Sequence, residues 1–286
     1  MNKSALWIIL GVFVFAAGLI FSFDRSGTLS NKKDYPYKIK SKWELPNILD
    51  EVSGIEWLTE NRIACVQDED GIIFTYNLET SKVDKEIDFA GPGDYEGLTV
   101  NNNTAYVVRS DGTIFEISNF QGAQPKTLKF DTYLTEAQNV EGLCLDQKNN
   151  RLLLAIKDKE RDQDDYKGVY AFNLNNKELA KSPIFKLNMK DKLLENSGNK
   201  LSKRLRPSEI EIHPNSGKIY LLDAKDPKLI IIDNQGKIET IYALDEDEFN
   251  QPEGLTFKPD GSLFISNEAG SDPANIMKVV LRNHKN

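Results

Sequence analysis

One repeated phrase constrains this chain more than any other feature. Its fullest copy is Gln251-Pro252-Glu253-Gly254-Leu255-Thr256-Phe257, followed by the turn residues Pro259-Asp260-Gly261 and a second alternating run that carries Leu263 and Ile265. Period-two alternation on both sides of a Pro-Asp-Gly turn predicts strand, turn, strand. The phrase recurs as Tyr95-Glu96-Gly97-Leu98 and Val140-Glu141-Gly142-Leu143, and in looser form as Val52-Ser53-Gly54-Ile55 and Pro207-Ser208-Glu209-Ile210. The anchors Ser53, Glu96, Glu141, Ser208 and Glu253 are spaced by 43, 45, 67 and 45 residues. Repeats of that length, each with several short strands, are the mark of propeller blades. The expectation is an all-β, five-bladed β-propeller.

The long third interval leaves room for an alternative of six blades, although it holds no sixth anchor. It contains an acidic loop at 158–165, a short helix predicted over 189–194, and the basic residues Lys200, Lys203, Arg204 and Arg206. Only 33 residues follow Glu253, enough for three strands of a four-stranded blade. The alternating run Tyr35, Tyr37, Ile39 and Trp43, interleaved with Lys38, Lys40 and Lys42, is therefore predicted to supply the missing strand. That would close the ring and remove its open edges.

Residues 5–23 carry no charge, which is long enough to cross a bilayer as a helix. The polar residues 24–35 have linker composition. The chain divides accordingly into an anchor or signal segment (1–23), a linker (24–35) and a propeller domain (36–286). A single-pass plasma-membrane protein with its propeller outside the cytoplasm, periplasmic or extracellular, is the expectation. The alternative is secretion after signal cleavage. A net charge of −8 argues against nucleic acid as a partner, because that binding needs a basic face. Cys65 and Cys144 fall at apolar strand positions of different blades and read as buried free thiols.

In a propeller the first strand of each blade lines the axis, so equivalent positions near its start encircle one opening. Glu96, Glu141 and Glu253 should converge there, with Ser53 and Ser208 completing the circle. Clustered carboxylates are costly without a counter-charge, and hard oxygen donors are what calcium prefers. Ca2+ held by the three glutamates is one reading. The other is architectural, with each glutamate bonding neighbouring backbone or pairing with Arg109 or Lys157. Polar residues at the ends of the second strands, Asp68, Arg109, Lys157, Asp223 and Glu268, differ from blade to blade, as contacts to an asymmetric ligand would. Arg206 could face the same mouth. With His213 in a turn and His284 near the last residue, a serine–histidine nucleophile finds no support.

These phrases, taken in order behind an apolar N-terminal segment, resemble the SdiA-regulated (YjiK-like) family of membrane-anchored bacterial β-propellers over about residues 36–282. Single phrases are shared with NHL-like and phytase-like propellers. The resemblance implies a calcium-binding propeller without an assigned reaction. Two functions stay open: a tethered binding module for an unknown small molecule or envelope protein, and a metal-dependent hydrolase of phosphoesters or lactones.

Overall fold

The computed structural model describes residues 34–160, 165–197 and 205–282. Strand β1 (Tyr37–Glu44) comes first and is followed by two four-stranded meanders. These are β2 (Val52–Trp57), β3 (Arg62–Gln67), β4 (Ile72–Asn77) and β5 (Lys82–Asp88), then β6 (Tyr95–Asn101), β7 (Thr104–Arg109), β8 (Ile114–Ser118) and β9 (Lys126–Phe130). The third sheet holds β10 (Val140–Asp146), β11 (Arg151–Ile156) and β12 (Tyr166–Asn173), with β13 (Glu178–Leu179) and β14 (Phe185–Asn188) both pairing with β12. The fourth is β15 (Pro207–Ile212), β16 (Ile219–Asp223), β17 (Lys228–Ile232) and β18 (Ile238–Ala243). The fifth is β19 (Pro252–Phe257), β20 (Leu263–Asn267) and β21 (Asn275–Leu281), completed by β1.

The innermost strands β2, β6, β10, β15 and β19 each touch the next around the ring, and β19 returns to β2. Among the described residues five blades form and no sixth does. The extra residues of the third interval are used within blade three, whose outer strand is split in two, and in helix α1 (Lys192–Ser197), which lies three residues later than the sequence predicts. Lys200, Lys203, Arg204 and His284 lie outside the described residues, as do residues 5–23. No helix among the described residues is long and apolar enough to cross a membrane.

The predicted closure is present. β1 runs antiparallel to β21 from Tyr37↔Leu281 to Glu44↔Asn275. Tyr37 fastens it further, its hydroxyl donating to Glu248 Oε2 at 2.7 Å and accepting the Asp245 N–H at 3.1 Å.

Five apolar cores lie between adjacent blades. Between blades four and five, Leu222, Leu229 and Tyr242 meet Leu255, Ile265 and Met277; between blades five and one, Phe264 and Ile276 meet Ile55, Cys65 and Phe74. Middle strands are thus covered on both faces, which is why β17 reads Lys-Leu-Ile-Ile-Ile rather than alternating. Cys65 and Cys144 are buried and free, as expected. The hairpin turns follow the sequence signals: Gly261 takes φ +87° and returns a hydrogen bond to Lys258 O at 2.8 Å, a conformation that costs glycine little.

Candidate functional site at the axial mouth

In every blade the pairing between the innermost strand and its neighbour slips at the anchor. Tyr95 pairs with Arg109 and Gly97 with Val108, so Glu96 is the extra residue. Glu141 and Ser208 are skipped in the same way. The register also shifts between Val52 and Ile55, around Ser53, and between Pro252 and Leu255, around Glu253. A β-bulge frees one residue from the ladder and re-aims its side chain. Five bulges at one level are how the fold turns the anchors out of the sheets.

Lys157, just beyond the end of β11, reaches into this ring. Its Nζ lies 2.9 Å from Glu141 Oε2 and 4.0 Å from Glu253 Oε1. The other oxygen of Glu141 accepts Asn139 Nδ2 at 2.7 Å. Burial works against the charge of Lys157, yet Glu253 and Glu141 outweigh it and hold its pKa above the ordinary lysine value.

The carboxyls respond in the opposite sense. Burial, with Glu141 and Asp94 adding repulsion and Lys157 opposing, pushes Glu96 up to about 10. Burial raises Glu141 to about 8 against the pull of Lys157. Glu253 rises to about 7, again through burial opposed by Lys157, with Glu268 adding. Glu268 rises to about 7 through burial and the nearby Asp68. Asp68 reaches about 7 through burial and its hydrogen bond with Glu51. These groups share protons as a set rather than titrating one by one. Two buried oxygens in the set, Glu253 Oε2 and Asp68 Oδ1, have no hydrogen-bond partner.

The remaining residues singled out from the sequence divide clearly. Ser208 Oγ donates to Pro252 O at 2.8 Å, stitching blade four to blade five, and Ser53 Oγ donates to Glu51 O at 3.2 Å. Arg109 turns to Asp111, with contacts of 2.6 and 3.2 Å, and not to the glutamates. Asp223 is fully buried and ion-paired with Lys228 at 3.1 Å, while its other oxygen accepts the Lys225 and Asp226 N–H groups. Arg206 pairs with Asp158 through its guanidinium and donates its backbone N–H to Asp223. Of the pairings foreseen for the glutamates, the one with Lys157 forms and the one with Arg109 does not.

An oxygen-only donor set with two unpartnered buried oxygens has the chemistry that a hard cation such as calcium takes. As they stand, no three His, Cys, Asp or Glu side chains among the described residues converge closely enough to ligate one ion. The Lys157 ammonium, 2.9 Å from Glu141 Oε2, fills the place of a counter-charge there.

Beside the mouth a cleft of about 410 Å³ opens between blades three and four, lined among others by Lys157, Lys159, Tyr166, Met189 and Arg206. Sequence reasoning also missed a deeper set of acids on the inner strands, Glu56, Glu209 and Glu211. Their signal was present: where the remaining copies carry glycine, threonine or cysteine, blade four carries Glu209 and Glu211 and blade one carries Glu56.

The architecture and the bulged, lysine-bridged ring of acids define a five-bladed β-propeller with a carboxyl-rich axial mouth. The chain belongs to the SdiA-regulated family, whose model matches residues 28–271. A search of curated proteins finds no significant match. Among solved structures, the chain is similar to the glutaminyl cyclase of Myxococcus xanthus (TM-score 0.59, 15% identity), covering 86% of this chain and 96% of that one. It is also similar to the PQQ-bound aldose sugar dehydrogenase of Streptomyces coelicolor (TM-score 0.52, 13% identity, 85% and 97% covered). A third is a protein of unknown function from Bacteroides thetaiotaomicron (TM-score 0.51, 17% identity, 80% and 54% covered). At such identities the likeness is one of fold.

Proposed function

We propose that this propeller is an extracytoplasmic binding module, tethered through residues 5–23, whose mouth takes up a calcium ion with Glu96, Glu141 and Glu253 as ligands. The observation that carries the reading is an imbalance of charge. Four carboxyls, Glu96, Glu141, Glu253 and Glu268, feel the ammonium of Lys157, Asp68 adds its charge beside Glu268, and two oxygens of the set have no partner. Their raised pKa values express the same want of cations. A divalent ion would stabilise the ionised forms and lend a coordination point to an anionic group of a ligand or partner.

The test is calorimetric titration of the full-length chain with calcium, alongside thermal unfolding with and without chelator. Saturable binding is expected. At a hundredfold excess over Kd it should add about 2.7 kcal/mol, or roughly 5–10 °C in Tm for a unit of this size. Glu96→Gln and Glu253→Gln should abolish both effects. Absence of binding and of any Tm shift would overturn the reading. Tethering is tested separately by membrane fractionation of the full-length chain against one lacking residues 1–23.

A second reading rests on one observation: Glu253 and Glu268 have pKa values near 7, where general acid–base catalysis works best. It makes the mouth a metal-dependent hydrolase of phosphoesters or lactones. Turnover of such substrates that vanishes in Glu141→Gln and Glu253→Gln would select it over the binding module.

A further inference from the structure

Beside the acid-lined mouth, the cleft between blades three and four gathers basic side chains. Lys157, Lys159, Lys167 and Arg206 line it, against Glu136, Asp158 and Glu160. What decides its chemistry is which of these charges are already engaged. Lys157 is committed to Glu141 at 2.9 Å. Lys167, only 7% exposed, donates to the backbone carbonyls of Lys157, at 3.0 Å, and of Asp158. Glu160, as deeply buried, accepts the Gly168 N–H and, at 2.7 Å, the Tyr170 hydroxyl. Glu136 is exposed and also borders a second depression with Asp111 and Asp131.

Two cations keep donors to spare. Arg206 holds Asp158 through Nη2 alone, and its Nε and Nη1 have no partner among the described residues. Lys159 is exposed, and its ammonium likewise makes no bond among the described residues. A guanidinium offers five N–H donors in a planar fork suited to carboxylate and phosphate oxygens, so one bond to Asp158 leaves it able to take a second anion.

The walls are set before a ligand arrives. The Lys157 and Asp158 N–H groups bond Asn139 O and Gln138 O at 2.8 and 3.0 Å, which fixes the strip that carries Lys159. Lys167 and Glu160 fasten the same strip to β12. Across the cleft, the Met189 N–H bonds Asp165 O at 3.0 Å and the Arg206 N–H bonds Asp223 at 3.1 Å. A cleft held in this way loses little freedom when it is filled. Tyr166, Met189 and Leu205 give it an apolar side. Its volume of about 410 Å³ lies within the range of about 300–1,000 Å³ that small organic ligands occupy.

We infer that this cleft beside the mouth seats the ligand of the module, and that the ligand is a small organic anion, a carboxylate or phosphate carried on an apolar body. The anionic group sits on Arg206 and Lys159, and the body lies against Tyr166, Met189 and Leu205. The site rests on the binding-module reading of the propeller and needs no metal at the mouth.

The test titrates phenyl phosphate and phenylacetate, with neutral 2-phenylethanol as the uncharged match, into the full-length chain, in chelator and again in calcium, and reads binding by saturation-transfer NMR. Saturable binding of at least one of the two anions is expected in both conditions, about tenfold or more tighter than the alcohol, and which anion binds better separates phosphate from carboxylate ligands. Arg206→Gln should weaken it about tenfold or more, as loss of a hydrogen bond between charged groups does. Adding Lys159→Gln should remove it. Lys218→Gln, which deletes a cation paired with Glu239 elsewhere on blade four, should bind as the native chain does. No saturation by either anion up to about 10 mM, where a site with a Kd of about 1 mM is nine-tenths filled, would overturn the site. Calcium titration then decides the mouth reading by itself. Equal binding of the alcohol, or native affinity in the folded double variant, would overturn the site as well. Should Arg206→Gln fail to fold by circular dichroism, Lys159→Glu, which reverses an exposed charge, carries the same test through its loss of anion binding.

Discussion

Removing Lys157 puts the mouth to its sharpest test. Lys157→Met keeps most of the stem and deletes the ammonium that lies 2.9 Å from Glu141 and 4.0 Å from Glu253, in a side chain only 18% exposed. Breaking a buried ion pair from one side costs about 3–5 kcal/mol, because the other charge is left uncompensated. Glu141 has an escape: its pKa is already pushed up to about 8, so it takes a proton rather than standing bare. The lower end, about 3 kcal/mol, is therefore expected. For a unit of this size each kcal/mol shifts Tm by roughly 2–4 °C, which gives a loss of roughly 6–12 °C at pH 8 in chelator. Differential scanning calorimetry reads it directly. If a cation takes the place of the ammonium, saturating calcium should return most of the loss, and the variant should bind calcium more tightly than the native chain. A Tm in chelator within about 2 °C of native would refute the buried-pair argument.

Two further outcomes follow from the same structure. Without divalent cations, Glu96, Glu141, Glu253 and Glu268 bind protons more tightly in the folded state, at about 10, 8, 7 and 7, than in the unfolded chain. Their stabilising contribution is therefore complete below the unfolded carboxylate pKa and is lost as pH rises through 7 to 10. Tm in chelator should fall steadily from pH 5.5 to 9, and a flat or rising profile would contradict the charge balance of the mouth. At the closure, Tyr37→Phe removes one bond to the Glu248 carboxylate and one from the Asp245 N–H, and should cost about 1.5–3 kcal/mol in urea unfolding. No change in the urea midpoint would mean that the strand ladder alone holds the ring shut.

What the sequence makes legible here depends on the range over which the physics acts. The anchor phrases repeat because each blade solves the same local problem, so blade number, the closing strand and the buried thiols can be read from alternation and spacing. The bulges cannot be read so directly. Glu96 and Glu141 look like ordinary first-strand residues, and only pairing with the second strand shows that they are surplus to it. Partner choice is also a property of space: Arg109 and Lys157 stand at equivalent strand ends, yet Arg109 finds Asp111 two residues away while Lys157 crosses to Glu141 and Glu253. The helix displaced to Lys192–Ser197 lies in the one stretch where the repeat offers no register. Glu209 was hidden by its setting, since an acid beside an anchor reads as part of the anchor phrase until its burial is known.

The strand that closes the ring also sets an order of events in time. β1 leaves the ribosome before any blade, yet its partner β21 emerges last, with Tyr37 and Leu281 joined across nearly the whole domain. Until then the first strand made must wait with both edges bare, and blade five has only its own three strands. Loop closure over such a span is slow compared with the hairpins within a blade. The propeller is thus most exposed to mispairing and proteolysis during synthesis. Chaperone demand should track the interval between completion of blade one and arrival of β21, and any truncation that removes β21 should leave four finished blades and an unclosed circle.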